Sequence, residues 1–276
     1  MKAAGLAAAL LLAAGAPAGA APGAPRCDAP QEVVRFKVPL PRTARAIRRG
    51  NALVVVAIGS SSTEGVGASS PAHAYPARLA EELRRRWPRL SVVVLNMGIG
   101  GETADQMLAR FERDVLPYRP HLVIWQTGSN QVIKRGGGLK GYSDTIHAGI
   151  KRLQAARIDV VLMDPQYAPR VIARPVHRRI VDSISAAAGD AKVALFRRFA
   201  VMRYWIDSKQ HRMEDVIHRD KLHMNDTSYR CIALLLADSL AAAARGAPPG
   251  GEAPPLAAGP GRAGPAWQGG AGTSIP

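Results

Sequence analysis

Four short polar blocks hold residue types that can do nucleophilic chemistry: Gly59-Ser60-Ser61-Ser62-Thr63-Glu64-Gly65, Asn96-Met97-Gly98-Ile99-Gly100-Gly101-Glu102-Thr103, Gly128-Ser129-Asn130 and Asp220-Lys221-Leu222-His223. A serine hydroxyl is a weak nucleophile until a base takes its proton, and histidine suits that task at neutral pH. An aspartate three residues before His223 can reach the other ring nitrogen and hold its tautomer. Each block also has a plainer reading. A Ser/Gly cluster after a strand is commonly a turn or helix cap, and a lone histidine is commonly a surface residue. The force of the pattern is that all four occur together, each at a boundary between elements.

The elements follow from periodicity. Leu53-Val54-Val55-Val56-Ala57-Ile58 predicts a buried strand, and Ser91 to Leu95, His121 to Trp125 and Ile158 to Met163 predict three more. Val193 to Phe196 predicts a short fifth strand. Tyr75 to Trp87 reads as a helix with Pro76 in its first turn, and Thr103 to Gln106 as a capping box opening another. Further helical stretches fall near 141–156, 172–188 and 225–244. Alternation of this kind predicts an α/β three-layer sandwich, a mostly parallel five-stranded sheet with helices on both faces. In such sheets ligands sit outside the carboxyl ends of the strands. The first three blocks directly follow strands one, two and three, where the rule puts a site.

With these motifs in order, the chain resembles the SGNH (GDSL-like) hydrolases. Ala57 to Gly65 is similar to that family's Gly-Asp-Ser block, Asn96 to Thr103 to its glycine block, Gly128 to Asn130 to its Gly-x-Asn-Asp block, and Asp220 to His223 to its final Asp-x-x-His. The resemblance spans about 53 to 240. It implies a flavodoxin-like fold and an esterase with an acyl-enzyme intermediate and no cofactor. It selects Ser61, two residues after Gly59, as nucleophile over Ser60 and Ser62, with His223 as general base and Asp220 as its partner. The Ser61 and Gly101 backbone N–H groups and the Asn130 side-chain amide are then the oxyanion donors. Two positions depart from the pattern: Ser60 and Gln131 stand where the family carries aspartates. They keep open a non-catalytic member that binds an ester or glycan without turnover.

Other classes fit less well. No Gly-x-Ser-x-Gly elbow is present, since Thr63 follows Ser61 by two. Gly98-Ile99-Gly100-Gly101 fails as a dinucleotide fingerprint because Thr103 holds its last glycine position. Asp215, His218, Asp220 and His223 lie close in sequence, but without a His-Glu-x-x-His pattern no metal is expected.

The 276 residues are 47% hydrophobic and 21% charged, which excludes wholesale disorder. Residues 1–20 read as a secretory signal peptide: Lys2, an apolar run from Leu6 to Ala14 too short to span a membrane, then Ala18-Gly19-Ala20. A secreted or periplasmic location follows as an expectation. Residues 21–50 read as an extended lead-in, 51–245 as the hydrolase domain, and 246–276 as a disordered Pro/Gly/Ala-rich tail. Cys27 and Cys231 can pair in an oxidising compartment or remain thiols. The net charge of +16 is compatible with peripheral contact to an anionic envelope, yet no nucleic-acid motif accompanies it. The expected partner is a small-molecule, glycan or lipid ester, with an acetylated envelope polysaccharide or a lysophospholipid as the leading substrates. Tyr167 and Trp205 could line a pocket or belong to the core.

Overall fold

The computed structural model describes residues 26–134, 139 and 141–246. The residues read as a signal peptide, and the tail beyond Gly246, lie outside the described residues. Five parallel strands form one sheet: β1 (Ala52–Gly59), β2 (Ser91–Gly98), β3 (Leu122–Gln126), β4 (Asp159–Met163) and β5 (Ala194–Phe196), in the order β2-β1-β3-β4-β5. Every residue of β3 and β4 is buried, which is why these strands read as continuous apolar runs. β2 is an edge strand in which only Val92 is buried, and it runs three residues beyond the expected Leu95. Asn96, Met97 and Gly98 pair with Ala57, Ile58 and Gly59, so β1 carries its neighbour to the site.

The helices used below are α1 (Pro41–Arg49), α2 (Ser61–Glu64), α3 (Tyr75–Arg86), α4 (Ala104–Ala109), α5 (Ser129–Ile133), α6 (Tyr142–Ala155), α7 (Val176–Asp190), α8 (Arg198–Asp207) and α9 (Asp226–Arg245). α1, α3 and α9 pack together on one side, and α4, α6 and α7 on the other. α4 opens with the Thr103–Gln106 capping box read from the sequence.

Two expectations need correction, and one helix, α8, was not read from the sequence. The extended lead-in over 21–50 carries a helical turn, Gln31–Val34, and then α1, whose Thr43, Ala44 and Ala46 are buried. Pro41 at the start and Gly50, left-handed at φ 73°, at the end delimit α1. The helix expected over 172–188 breaks before Pro175, which lacks an N–H to continue the ladder, and α7 starts at Val176. α8 was hidden because its buried stripe of Arg198, Val201, Met202 and Trp205 begins with a charged residue. Trp205 is core, its indole N–H donating to the Asp28 carbonyl.

Cys27 and Cys231 form a disulfide that ties the start of the described chain to α9 across 204 residues of sequence. A link closing so long a loop restricts the unfolded chain and is worth about 2–5 kcal/mol. The C27S/C231S variant is therefore expected to melt roughly 4–20 °C lower than the oxidised protein. Dithiothreitol should lower the wild-type melting temperature by a similar amount and leave the variant unchanged in a thermal scan.

Candidate active site

The site begins where β1 ends. Ser60 is extended, and Ser61 opens the single turn α2. The three adjacent serines are sorted by burial. Ser60 and Ser62 are buried, and Ser61 is part-exposed. Gln126, the last residue of β3, holds the turn from below: its Oε1 accepts from Ser60 N (2.9 Å), Ser60 Oγ (3.1 Å) and Thr63 Oγ1 (3.1 Å). Ser62 Oγ donates to Gln166 Oε1 at 3.2 Å. Only Ser61 faces the late loop. Its Oγ lies 2.8 Å from His223 Nε2, and His223 Nδ1 lies 2.5 Å from Asp220 Oδ2.

The Asp220 loop is built to hold that histidine. Asp220 Oδ1 accepts the backbone N–H groups of Leu222 and His223, both at 2.9 Å, and Lys221 takes the left-handed backbone this turn requires. Partial burial opposes ionisation of Asp220, but the hydrogen bonds from the His223 ring and from the two amides outweigh it. The carboxyl is held well below the usual carboxylate range. An ionised Asp220 takes the Nδ1–H and leaves Nε2 as acceptor for the Ser61 hydroxyl. Asp215 does not join this group, because its carboxylate is turned to Arg212 at 3.1 Å.

The β2–α4 loop borders Ser61. A Cβ added at Gly100 would lie 4.0 Å from Ser61 Cβ, and Gly101 is left-handed at φ 77°. Asn130, buried at the start of α5, donates Nδ2–H to the Glu102 carbonyl at 2.8 Å, which sets its amide against this loop. The Ser61 N–H, at the first position of a helical turn, has no intrahelical acceptor. The structure thus brings Ser61, Asp220 and His223 into one hydrogen-bonded row, with the Gly101 loop and Asn130 beside it. β1 and β3 diverge here, at the switch point of the strand order.

Several supporting residues escaped the sequence reading. Gln166 Oε1 also accepts from Ser129 Oγ (2.9 Å) and Arg198 Nη2 (3.0 Å), and its Nε2 donates to the Leu222 carbonyl (3.0 Å). One amide joins the Ser61 turn, the Asn130 turn and the His223 loop. Arg198 is fully buried and also donates Nε–H to the Asp164 carbonyl oxygen at 3.0 Å. Gln126 and Gln166 could have been found by the rule that flagged the first three blocks, since both are polar residues at or just beyond a strand's carboxyl end. Gln131, at the departing position, is buried in α5, and Ser60 is spent on Gln126.

Asp164 gives the site a pH signature. Burial raises its carboxyl to about 7, against the Phe199 N–H bond and the nearby Arg198 charge. Its folded value lies above the unfolded value of about 3.9. The protonated form therefore stabilises the fold fully below about pH 4, and that contribution is lost as pH rises through about 7. Asp164→Asn is expected to remove this slope. Melting curves from pH 4.5 to 8 should show wild type falling relative to the variant, and parallel curves would refute the assignment.

A flavodoxin-like sheet that carries a Ser–His–Asp row and a glycine loop at its switch point defines the GDSL/SGNH hydrolase class. Within it, the chain belongs to the non-GDSL lipase-like family, whose model matches residues 26–246. No curated protein matches the chain. Among solved structures, a two-domain esterase (CEX) active on acetylated mannans, co-crystallised with mannopentaose, aligns with TM-score 0.67 at 20% identity, covering 81% of this chain. The chain spans only 59% of that esterase's length. A catalytic mutant of Axe2, an acetylxylan esterase from Geobacillus stearothermophilus, aligns with TM-score 0.59 at 19% identity, covering 68% of this chain and 94% of the other. A protein assigned to the G-D-S-L lipolytic family, from Desulfitobacterium hafniense DCB-2, aligns with TM-score 0.58 at 22% identity, covering 68% and 99%. At these identities the likeness is one of fold.

Proposed function

We propose that this protein is a serine esterase that removes acetyl groups from a polysaccharide through an acyl-enzyme intermediate. The observation that carries the reading is the Ser61–His223–Asp220 row, with contacts of 2.8 and 2.5 Å. In the reaction, His223 takes the Ser61 proton as Oγ attacks the ester carbonyl, and then protonates the leaving sugar oxygen. Water, activated by the same histidine, releases acetate from Ser61. The Ser61 and Gly101 N–H groups and the Asn130 amide are the donors for the oxyanion of both tetrahedral intermediates. Asp220, kept ionised, stabilises the imidazolium formed in each step.

The substrate class is supported by the named activities of two fold neighbours, on acetylated mannans and acetylxylan. We infer export as well: the Cys27–Cys231 disulfide suits an oxidising compartment. A series of p-nitrophenyl esters from acetate to decanoate, with acetate release from acetylated mannan and xylan, tests the reading. Activity is expected to be highest on acetate and to fall at least about tenfold by octanoate, the scale on which a pocket excludes added methylenes. A preference for long acyl chains would sink the polysaccharide assignment in favour of a lysophospholipid. Inertness towards every ester would favour a non-catalytic binding role.

A further inference from the structure

The opposite end of the sheet carries a second cavity of about 510 Å³. Five arginines line it: Arg42, Arg45 and Arg49 from α1, Arg119 from the turn before β3, and Arg157 from the turn before β4. Among the described residues, no Asp or Glu lines it. The nearby Asp159 carboxylate is buried and accepts the Thr43 N–H at 2.8 Å, in the first turn of α1. His121 lines the cavity too, and its Nδ1 accepts the Val54 N–H at 3.1 Å, so Nε2 is left as the donor nitrogen. Ala46, Pro120 and Ile158 supply a buried apolar floor.

We propose that this cavity is a binding site for a phosphate ester. Arg49, Arg119 and Arg157, with Arg42 beside the buried Asp159, concentrate positive charge around one cavity, and bound phosphate relieves their mutual repulsion. Planar guanidinium forks match phosphate oxygens two at a time, and a phosphate offers more acceptor oxygens to several arginines than a carboxylate does. The volume falls in the range of small-molecule sites and exceeds what a bare phosphate fills, and the apolar floor suits the carbon skeleton of the alcohol. The site is independent of the esterase centre. Arg119 and Arg157 stand at the amino ends of β3 and β4, and Ser61 follows the carboxyl end of β1, so the five residues of β3 alone separate the two ends by about 17 Å. Such a site would hold the enzyme on phosphate-bearing material with Ser61 facing away from it.

The test is calorimetric titration of the whole protein at low salt with sn-glycerol 3-phosphate and with inorganic phosphate. It is paired with sedimentation on phosphatidylcholine vesicles with and without phosphatidylglycerol. The test variant is R119N/R157N, because both residues have positive φ, which asparagine tolerates. R48Q/R89Q removes the same charge elsewhere on the surface. Binding of glycerol phosphate that weakens at least about tenfold in R119N/R157N, and within about twofold in R48Q/R89Q, supports the site with a soluble ester as ligand. Binding to phosphatidylglycerol vesicles alone, with the same dependence, supports it with a lipid headgroup as the source. Equal losses in both variants, a preference for inorganic phosphate over the ester, or no binding to any probe overturns the proposal. Turnover of p-nitrophenyl acetate should be equal in wild type and both variants, which keeps this result separate from the esterase reading.

Discussion

Ser61→Ala is expected to lower turnover of p-nitrophenyl acetate by at least about 10⁴-fold, the scale seen when a hydrolase loses its nucleophile. The fold should be unaffected. Ser61 Oγ has one partner, His223 Nε2, at a part-exposed position, so its removal leaves no buried group unpaired. Ser60→Ala and Ser62→Ala provide the contrast. Each removes a buried hydroxyl bonded to Gln126 or Gln166, so these should cost stability, about 1 kcal/mol each, and spare most of the activity. Kinetics and urea unfolding on the three variants separate the roles. Should Ser61→Ala retain wild-type turnover, the nucleophile lies elsewhere. Should Ser60→Ala or Ser62→Ala match its loss, the burial argument that sorts the three serines fails.

Gly98→Ala is expected to be the most damaging single-methyl change near the site. A Cβ there would lie 2.0 Å from Glu64 N, 2.6 Å from Glu64 Cα and 2.6 Å from the Thr63 carbonyl carbon. All three are backbone atoms of the Ser61–Glu64 turn, so no side chain can swing aside. The end of β2 must separate from α2, displacing Ser61 from His223 and the Gly101 loop from both. Overpacking a rigid site costs about 1–3 kcal/mol, occasionally more, and this contact belongs at the upper end. Activity should fall with stability, because the same displacement opens the 2.8 Å contact between Ser61 and His223. Gly189→Ala, near the end of α7, is the matched control. Nothing lies within 4 Å of its added Cβ, and helix propensity predicts a gain of up to about 1 kcal/mol. Thermal unfolding and kcat/KM on the two variants check the argument. A Gly98→Ala protein as stable and active as wild type would refute the close packing of β2 on α2.

How far the amino-acid sequence reached depended on how locally each feature is encoded. β1, β3 and β4 were legible because burial on both faces makes them short runs of Val, Ile and Leu, read without knowing their neighbours. The four polar blocks were legible because they stand at strand ends or before the last helix, and the resemblance to the SGNH hydrolases singled out Ser61, Gly101, Asn130, Asp220 and His223 within them. The rule linking strand ends to ligand sites is one of chain direction. The Asp220–His223 pairing is a three-residue reach and belongs to local geometry.

Features resting on contacts between distant segments were decided only by the tertiary structure. Ser60, Ser61 and Ser62 are chemically identical in sequence, and Gln126 and Gln166, at sequence separations of 66 and 104, determine which hydroxyls turn inward. α8 was invisible because a buried arginine is a polar letter in any periodicity, and its partners Asp164 and Gln166 become apparent only once the chain is folded. The union of Cys27 with Cys231 and the gathering of five arginines beneath the sheet follow the same logic. The chemical types at the carboxyl ends of the strands, and hence the reaction they can perform, are written locally. The burial of Ser60 and Ser62, the amide that couples the three loops of the site and the charge at the far end of the sheet arise from long-range packing, which no short window of sequence contains.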